Sequence, residues 1–194
     1  MKHRIVLALI VMVSIAGTLA AQEEYRWNTS VTVGGSMSGG DGMGGIGAEI
    51  MREFGRNLEI GFRAYAQAEV SEEYEDAQGR EYHMSSGYGT LVVKPKLKLG
   101  KRWEIGFPLE SGSGMVQYRY NEEYREELRW TEEILDQVNH SVYSAGMEPK
   151  LFVGERGAVT LGVGYLGTSP IRTDLADRDE LSGFWSRIGY SVAF

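Results

Sequence analysis

The chain has 194 residues, 26 of them glycine, four prolines, no cysteine and a formal net charge of −7. That length fits one domain, and the sequence is too polar for a bundle of membrane helices, each of which needs roughly 20 consecutive apolar residues. Disulfide scaffolds and thiolate metal sites are excluded without cysteine, while glycine at about twice its usual ~7% points to many tight turns.

Lys2, His3 and Arg4 open the chain, residues 5–16 are apolar apart from Ser14, and residues 17–21 end in small side chains. This is the three-part layout of a secretory signal, with cleavage expected after Ala20 or Ala21. A membrane anchor is the alternative reading, but residues 5–21 are short for one and no stop-transfer charges follow. The chain thus divides into a signal segment, 1–21, and a mature domain, 22–194. Without Lys2 and Arg4 the mature domain holds 18 basic and 27 acidic residues, a net charge of −9. Such a balance repels nucleic acid, whose binding requires phosphates to be neutralised by Lys and Arg.

From residue 27 onward the apolar side chains recur with a period of two, the mark of strands with two different faces. The first segment, 27–34, sets Trp27, Thr29, Val31 and Val33 on one face. In 47–54, Ala48, Ile50 and Phe54 oppose Glu49 and Glu53. The clearest run is 58–70, where Leu58, Ile60, Phe62, Ala64, Ala66 and Ala68 oppose Glu59, Gly61, Arg63, Tyr65, Gln67 and Glu69. Residues 87–99 set Leu91, Val93, Pro95, Leu97 and Leu99 against Tyr88, Thr90, Lys94, Lys96 and Lys98. In 103–120 the pattern begins with Trp103, Ile105, Phe107 and Leu109 against Glu104 and Glu110. The last three segments, 141–153, 158–166 and 184–194, repeat it, with Glu148, Lys150 and Arg187 on the polar side. Eight strands result.

Tight turns are expected at 55–57, 100–102 and 154–157, with Asn57 and Gly157 as left-handed third residues of three-residue loops. Long polar loops are expected at 35–45, 71–86, 121–140 and 168–180. Short and long connections alternate, so all the long loops leave one end of the structure. A weak repeat relates Gly55-Arg56-Asn57-Leu58-Glu59-Ile60-Gly61-Phe62 to Gly100-Lys101-Arg102-Trp103-Glu104-Ile105-Gly106-Phe107. A second relates Pro95-Lys96-Leu97 to Pro149-Lys150-Leu151, each the same distance before a turn glycine. Proline removes a ladder donor, so a bulge or local break is expected at Pro95 and at Pro149.

Two barrels share this alternation: a soluble carrier with its apolar face inward, and a transmembrane barrel with that face in lipid. Residues 58–68 span about 25 Å when tilted, the height of a membrane's apolar band. Trp27, Phe54, Trp103, Tyr165 and Phe194 stand at strand ends, where aromatic girdles form. The polar face holds seven acids (Glu49, Glu53, Glu59, Glu69, Glu104, Glu110 and Glu148) and six bases (Arg63, Lys94, Lys96, Lys98, Lys150 and Arg187). So even a balance suits a narrow interior, where charges must pair or bear a heavy desolvation cost. Three-residue turns place Lys98 opposite Glu104 and Glu49 opposite Arg63. They also place Glu53 beside Glu59, a clash that needs a neighbouring lysine or a shared proton.

The chain closes on Arg187-x-Gly189-x-x-Val192-x-Phe194. This pattern resembles the C-terminal assembly signal of outer-membrane barrels, which implies barrel-insertion machinery as a partner. The mature domain resembles small eight-stranded outer-membrane barrels of the OmpA/OmpX type, and its turns and strand prolines resemble those of Bacteroidota. The implied fold is an all-β, eight-stranded antiparallel up-and-down transmembrane barrel with short periplasmic turns and long extracellular loops. Its setting would be the cell envelope of a Gram-negative organism.

Candidate chemistry is sparse. His83 and His140 are read as loop residues without a second ligand at metal spacing. His140-Ser141 falls short of the His-x-Ser constellation of barrels that modify lipid A. The glycine-rich stretch at 35–45 has no Lys-Ser/Thr and no following helix, so it is read as a flexible loop. Glu122-Glu123 and Glu132-Glu133 are read as solvated. Leu128, Thr131, Leu135 and Val138 recur at helical spacing, which points to a short amphipathic helix over the barrel mouth; an extended hairpin is the alternative. No catalytic, cofactor or metal residue is assigned. The expected function is that of a monomeric, plugged, non-enzymatic barrel in outer-membrane lipid that acts through its loops on an extracellular ligand. The alternatives are a periplasmic lipid or ligand carrier and a lipid-modifying enzyme.

Overall fold

The computed structural model describes residues 26–38, 41–69, 74–171 and 181–194. Residues 1–25, 39–40, 70–73 and 172–180, which include the expected signal segment and parts of the expected loops at 35–45, 71–86 and 168–180, lie outside the described residues. Strands β1 (Trp27–Ser38), β2 (Asp41–Phe54) and β3 (Leu58–Glu69) follow one another as hairpins. A two-residue strand, β4 (Tyr74–Glu75), precedes the long β5 (Glu81–Leu99). Next come β6 (Trp103–Gly106) and β7 (Leu109–Tyr120), one stave interrupted at Phe107 and Pro108. A single turn of helix, α1 (Glu122–Arg125), leads to β8 (Ile134–Val153), β9 (Gly157–Thr168) and β10 (Gly183–Ala193). Every stave pairs antiparallel with its chain neighbours, and β1 pairs with β10, so the sheet closes into a ring of eight.

The three turns have three residues each, joining Phe54 to Leu58, Leu99 to Trp103 and Val153 to Gly157. A left-handed glycine stands first in each: Gly55 at φ 63°, Gly100 at 86° and Gly154 at 78°. Gly157 instead opens β9 without a positive φ. Glycine adopts this conformation without the Cβ penalty that other residues meet. Trp27 and Phe194 exchange backbone hydrogen bonds at the same end, so the two ends of the described chain meet beside the turns.

Neither Pro95 nor Pro149 produces a bulge. The register runs unshifted through both, from Leu58↔Pro95 on one side and Ile105↔Pro149 on the other. Pro95 turns its missing donor away from β3 and toward Phe107, whose amide still donates to the Pro95 carbonyl at 2.8 Å. The break in the stave therefore falls at Phe107 and Pro108. Pro149 turns its missing donor toward β9, where the ladder skips from Met147 to Lys150 and resumes in register. The neighbouring bonds hold the alignment, so each proline costs a single ladder bond.

The loop-end expectations need more revision. β1 and β2 run through the glycine-rich stretch, from Ser38 back to Asp41, so it is hairpin strand rather than flexible loop. Of the helix expected between 121 and 140 only α1 forms; β8 begins already at Ile134 and pairs with β7 as far as Arg119, as the hairpin alternative has it. Pairing along two strands overrides a weak helical period.

The apolar face of the barrel points outward. Phe62 is 65% exposed and Phe184 74%, whereas Glu59, Arg63 and Glu104 are at most 2% exposed. Among the described residues these inward positions are thus charged and not apolar, the reverse of a carrier's lining. Trp27, Phe54, Trp103 and Phe194 ring the turn end. Toward the other edge Tyr165 packs edge-to-face on Phe184, with ring centroids 5.4 Å apart.

Candidate functional site

Alternation points every second residue into a lumen that eight staves leave just wide enough for side chains. Nearest the turns, Lys96 lies 2.8 Å from Glu59 and 3.6 Å from Glu104, and also contacts Glu53. Lys150 lies 3.7 Å from Glu59 and from Glu104. The two sequence repeats thus meet in space: each Glu of the Glu-Ile-Gly copies faces each Lys of the Pro-Lys-Leu copies. The expected Glu53↔Glu59 pairing is present, and Lys96 between the two carboxylates relieves it. Asn28 donates a 3.0 Å hydrogen bond to Glu59.

One layer further in, Arg63 contacts Glu49, Glu110 and Glu148 together, the last at 2.9 Å. Lys94 bridges Glu148 at 2.8 Å and Glu49 at 3.2 Å. Arg187 reaches Glu148 at 2.8 Å and Glu110 at 2.9 Å. Three bases and three acids balance, and each carboxylate touches at least two cations. Thr90 donates to the second oxygen of Glu110 at 3.2 Å. Gly106 gives Lys94 its place, because a Cβ there would come within 2.9 Å of the lysine stem.

Aromatic rings close the next level. The Arg187 guanidinium lies 3.8 Å from the Trp185 ring centroid, and the Trp185 indole N–H donates to Ser144 at 3.0 Å. Gly146 and Gly164 form the slot for this ring; a Cβ on either would lie within 2.5 Å of it. Tyr65 and Tyr88 stack beside them at 5.5 Å.

Beyond Leu91, Leu109 and Tyr143 the two faces exchange character. The outward positions become Gly89, Gly87 and Ser85 on β5, Ser111 and Ser113 on β7, and Ser141, Asn139 and Gln137 on β8. The inward ones become Tyr82, Met84, Val116, Tyr118 and Tyr120, packed with Met43, Ile171 and Leu181 into an apolar core over the lumen. Leu128, Leu135 and Val138 lie against this core. Strands that leave lipid for water must turn their apolar face inward, so the exchange marks the edge of the apolar band.

The β4–β5 hairpin buttresses this core. Asp76 accepts from the Gln78 and Arg80 amides at 2.9 Å, from the Arg80 guanidinium at 2.8 Å and from the Tyr120 hydroxyl at 2.9 Å. Desolvation pushes the Asp76 carboxyl up, but these four bonds outweigh it and hold the group at about 2. Gly79, at φ 75°, supplies the left-handed residue of the turn.

No protein-family model matches the sequence, and no curated protein matches it. Solved structures do resemble it. A major outer membrane protein from Thermus thermophilus aligns at TM-score 0.57 and 10% identity, covering 89% of this chain and 100% of that one. Neisserial surface protein A aligns at 0.54 and 8%, covering 89% and 98%. Ail, the attachment invasion locus protein of Yersinia pestis, aligns at 0.53 and 10%, covering 89% and 100%. The fold is that of a small outer-membrane β-barrel.

In this barrel the sequence-derived pairs Lys98↔Glu104 and Glu49↔Arg63 stand in register as expected, although Lys98 opens to solvent at the rim. His83 and His140 lie in strands β5 and β8, not in loops. His140 is buried inside, while Ser141, the next residue along the strand, takes the opposite face, so the two form no dyad. Glu133 is not solvated; it is buried between Arg119 at 3.6 Å and Arg125 at 3.3 Å. Among the described residues no group of three or more His, Cys, Asp and Glu side chains is placed to hold a metal ion. In the closing pattern, Arg187 is a lumenal ion-pair partner and Val192 and Phe194 lie on the outward face. A Cβ at Gly189 would come within 2.6 Å of Thr32 on β1.

Proposed function

We propose that this chain is a non-enzymatic outer-membrane barrel whose lumen is closed by its own ion pairs and which acts through its extracellular end. The observation that carries this reading is the pairing of an outward apolar belt with a lumen in which Arg63, Lys94 and Arg187 are each bonded to two or more carboxylates. A conducting pore needs mobile water where these side chains touch. The signal-like residues 1–21 and the outer-membrane fold support export to that membrane, and the Arg187, Gly189, Val192 and Phe194 pattern supports insertion by the barrel-assembly machinery. The central carboxylates of the lumen are each taken up by cations, which favours a structural or recognition role over lipid modification.

The loop end gives the recognition role a sign. Its described side chains include eleven acids between Glu69 and Asp136 and four bases, Arg80, Arg119, Arg125 and Arg129. Ail was crystallised with the heparin analogue sucrose octasulfate; an acidic end of this kind repels such a polyanion and favours a cationic partner. Two measurements test the proposal. Unboiled protein from the membrane fraction should migrate faster than boiled protein, and planar-bilayer recordings should show no steady conductance. Recovery as a soluble periplasmic monomer refutes the location, and a large stable conductance refutes the closed lumen.

A further inference from the structure

The opposite end of the barrel carries the opposite charge. Among the described residues at the turns stand seven bases (Arg26, Arg52 and Arg56 on one side, Lys98, Lys101, Arg102 and Arg156 around the rest) and one acid outside the lumen, Glu155. All but Arg52 are exposed. They stand against an acidic majority in the chain as a whole, so this rim is a local inversion of the protein's net charge.

Arg52 differs from the others in its setting. Glu53 points into the lumen, so Arg52 points out, onto the membrane face of β2. Its guanidinium lies 5.7 Å from the Trp27 ring centroid and 5.3 Å from that of Phe54. Both rings belong to the turn-end girdle, the layer where a barrel meets headgroups. A guanidinium held at that depth by flanking aromatics is placed at phosphate level, and the exposed bases of the turns continue the positive surface directly below. A guanidinium matches phosphate oxygens in a two-pronged geometry that a free amine cannot reproduce.

We infer that the turn-end rim is a binding surface for anionic phospholipid headgroups of the leaflet it faces, with Arg52, between Trp27 and Phe54, as its fixed phosphate seat. This rests on the membrane reading above. The girdle decides for a lipid over a soluble anion, since it sets the seat beside acyl chains. Together with the acidic loop end, such a rim gives the barrel a preferred orientation in a membrane whose leaflets differ in charge.

The test uses the mature protein refolded in vesicles of phosphatidylcholine with and without phosphatidylglycerol, then extracted in mild detergent for native mass spectrometry. Wild type should keep phosphatidylglycerol in preference to phosphatidylcholine. Arg52→Gln should weaken that retention about fivefold, the effect of one juxtamembrane charge. The quintuple variant Arg52→Gln/Arg56→Gln/Lys101→Gln/Arg102→Gln/Arg156→Gln should abolish the preference, and the loop-end control Arg129→Gln should retain it. Gel migration of the unboiled samples confirms that each variant has folded. Equal retention of the two lipids by a properly inserted wild type overturns the inference and leaves the membrane reading standing, as does a preference that survives the quintuple change. A wild type that inserts into neither vesicle overturns both.

Discussion

Removing Arg63 should unbalance the centre of the lumen. Its side chain is 1% exposed and contacts three carboxylates, Glu49, Glu110 and Glu148. Arg63→Met keeps the volume of the stem but leaves three acids to share Lys94 and Arg187. Breaking a buried ion pair by deleting one partner costs about 3–5 kcal/mol. Each orphaned carboxylate here keeps a second cation, Glu49 and Glu148 through Lys94 and Glu110 through Arg187, which sets the expected loss at the lower end, about 3 kcal/mol. Arg63→Met/Glu110→Gln restores the balance to two bases and two acids. It should recover about 2 kcal/mol of that loss, a coupling of the size expected between residues in one ionic network. Urea unfolding of the refolded barrel in lipid vesicles, followed by the emission of its four tryptophans, measures all three proteins. The reasoning is refuted if the single variant lies within about 0.5 kcal/mol of wild type, the range of ordinary surface changes, or if the two substitutions destabilise additively.

Three more outcomes follow from the same geometry. Gly164→Ala puts a Cβ 2.4 Å from the Ala145 carbonyl and from the Trp185 ring, whereas Gly106→Ala meets only the flexible Lys94 stem at 2.9 Å. The first should cost about 3 kcal/mol, the upper end of overpacking, and the second under about 1, read from the temperature at which fast gel migration is lost. The Asp76 carboxyl, normally 3.8, is held at about 2, so the folded form is the weaker base. Its contribution to the hairpin is complete above the unfolded value and vanishes as pH falls through about 2; faster-than-intrinsic loss of hydrogen-exchange protection at Gln78 and Arg80 between pH 4 and 2 (roughly the span between the two values) would show it, and Asp76→Asn should show no such step. Finally, the chain lacks cysteine, so single cysteines report exposure without background. In vesicles, Phe62→Cys and Leu161→Cys should resist a membrane-impermeant maleimide that labels Gln137→Cys; equal labelling would contradict the belt.

Within the sequence, strand faces were readable because a period of two survives any tertiary arrangement, and a three-residue turn converts that period into register. That is why Glu49↔Arg63 and Lys98↔Glu104 could be paired in advance. The lysine needed between Glu53 and Glu59 could be demanded on electrostatic grounds but not identified. Lys96 is brought there by the β3–β5 ladder, whose long connection leaves register undetermined by any turn. The effect of Pro95 was likewise half legible: the lost donor is a property of the residue, but which neighbour loses it depends on the parity of the ladder. Leu135 and Val138 misled through a helical spacing that β7 and β8 overrode by pairing, whereas Leu128 lies in the irregular segment before β8.

The amino-acid order alone determined that this protein is made of eight two-faced strands joined by alternating short and long connections, because alternation and turn chemistry act between residues close in the chain. Tertiary structure alone decided which ions meet. Arg63 finds Glu110 and Glu148, 47 and 85 positions away, because closing the ring points staves from every side at one narrow axis. It also decided where the apolar side turns from outside to inside, since that exchange depends on where each strand emerges from the belt formed by all the others.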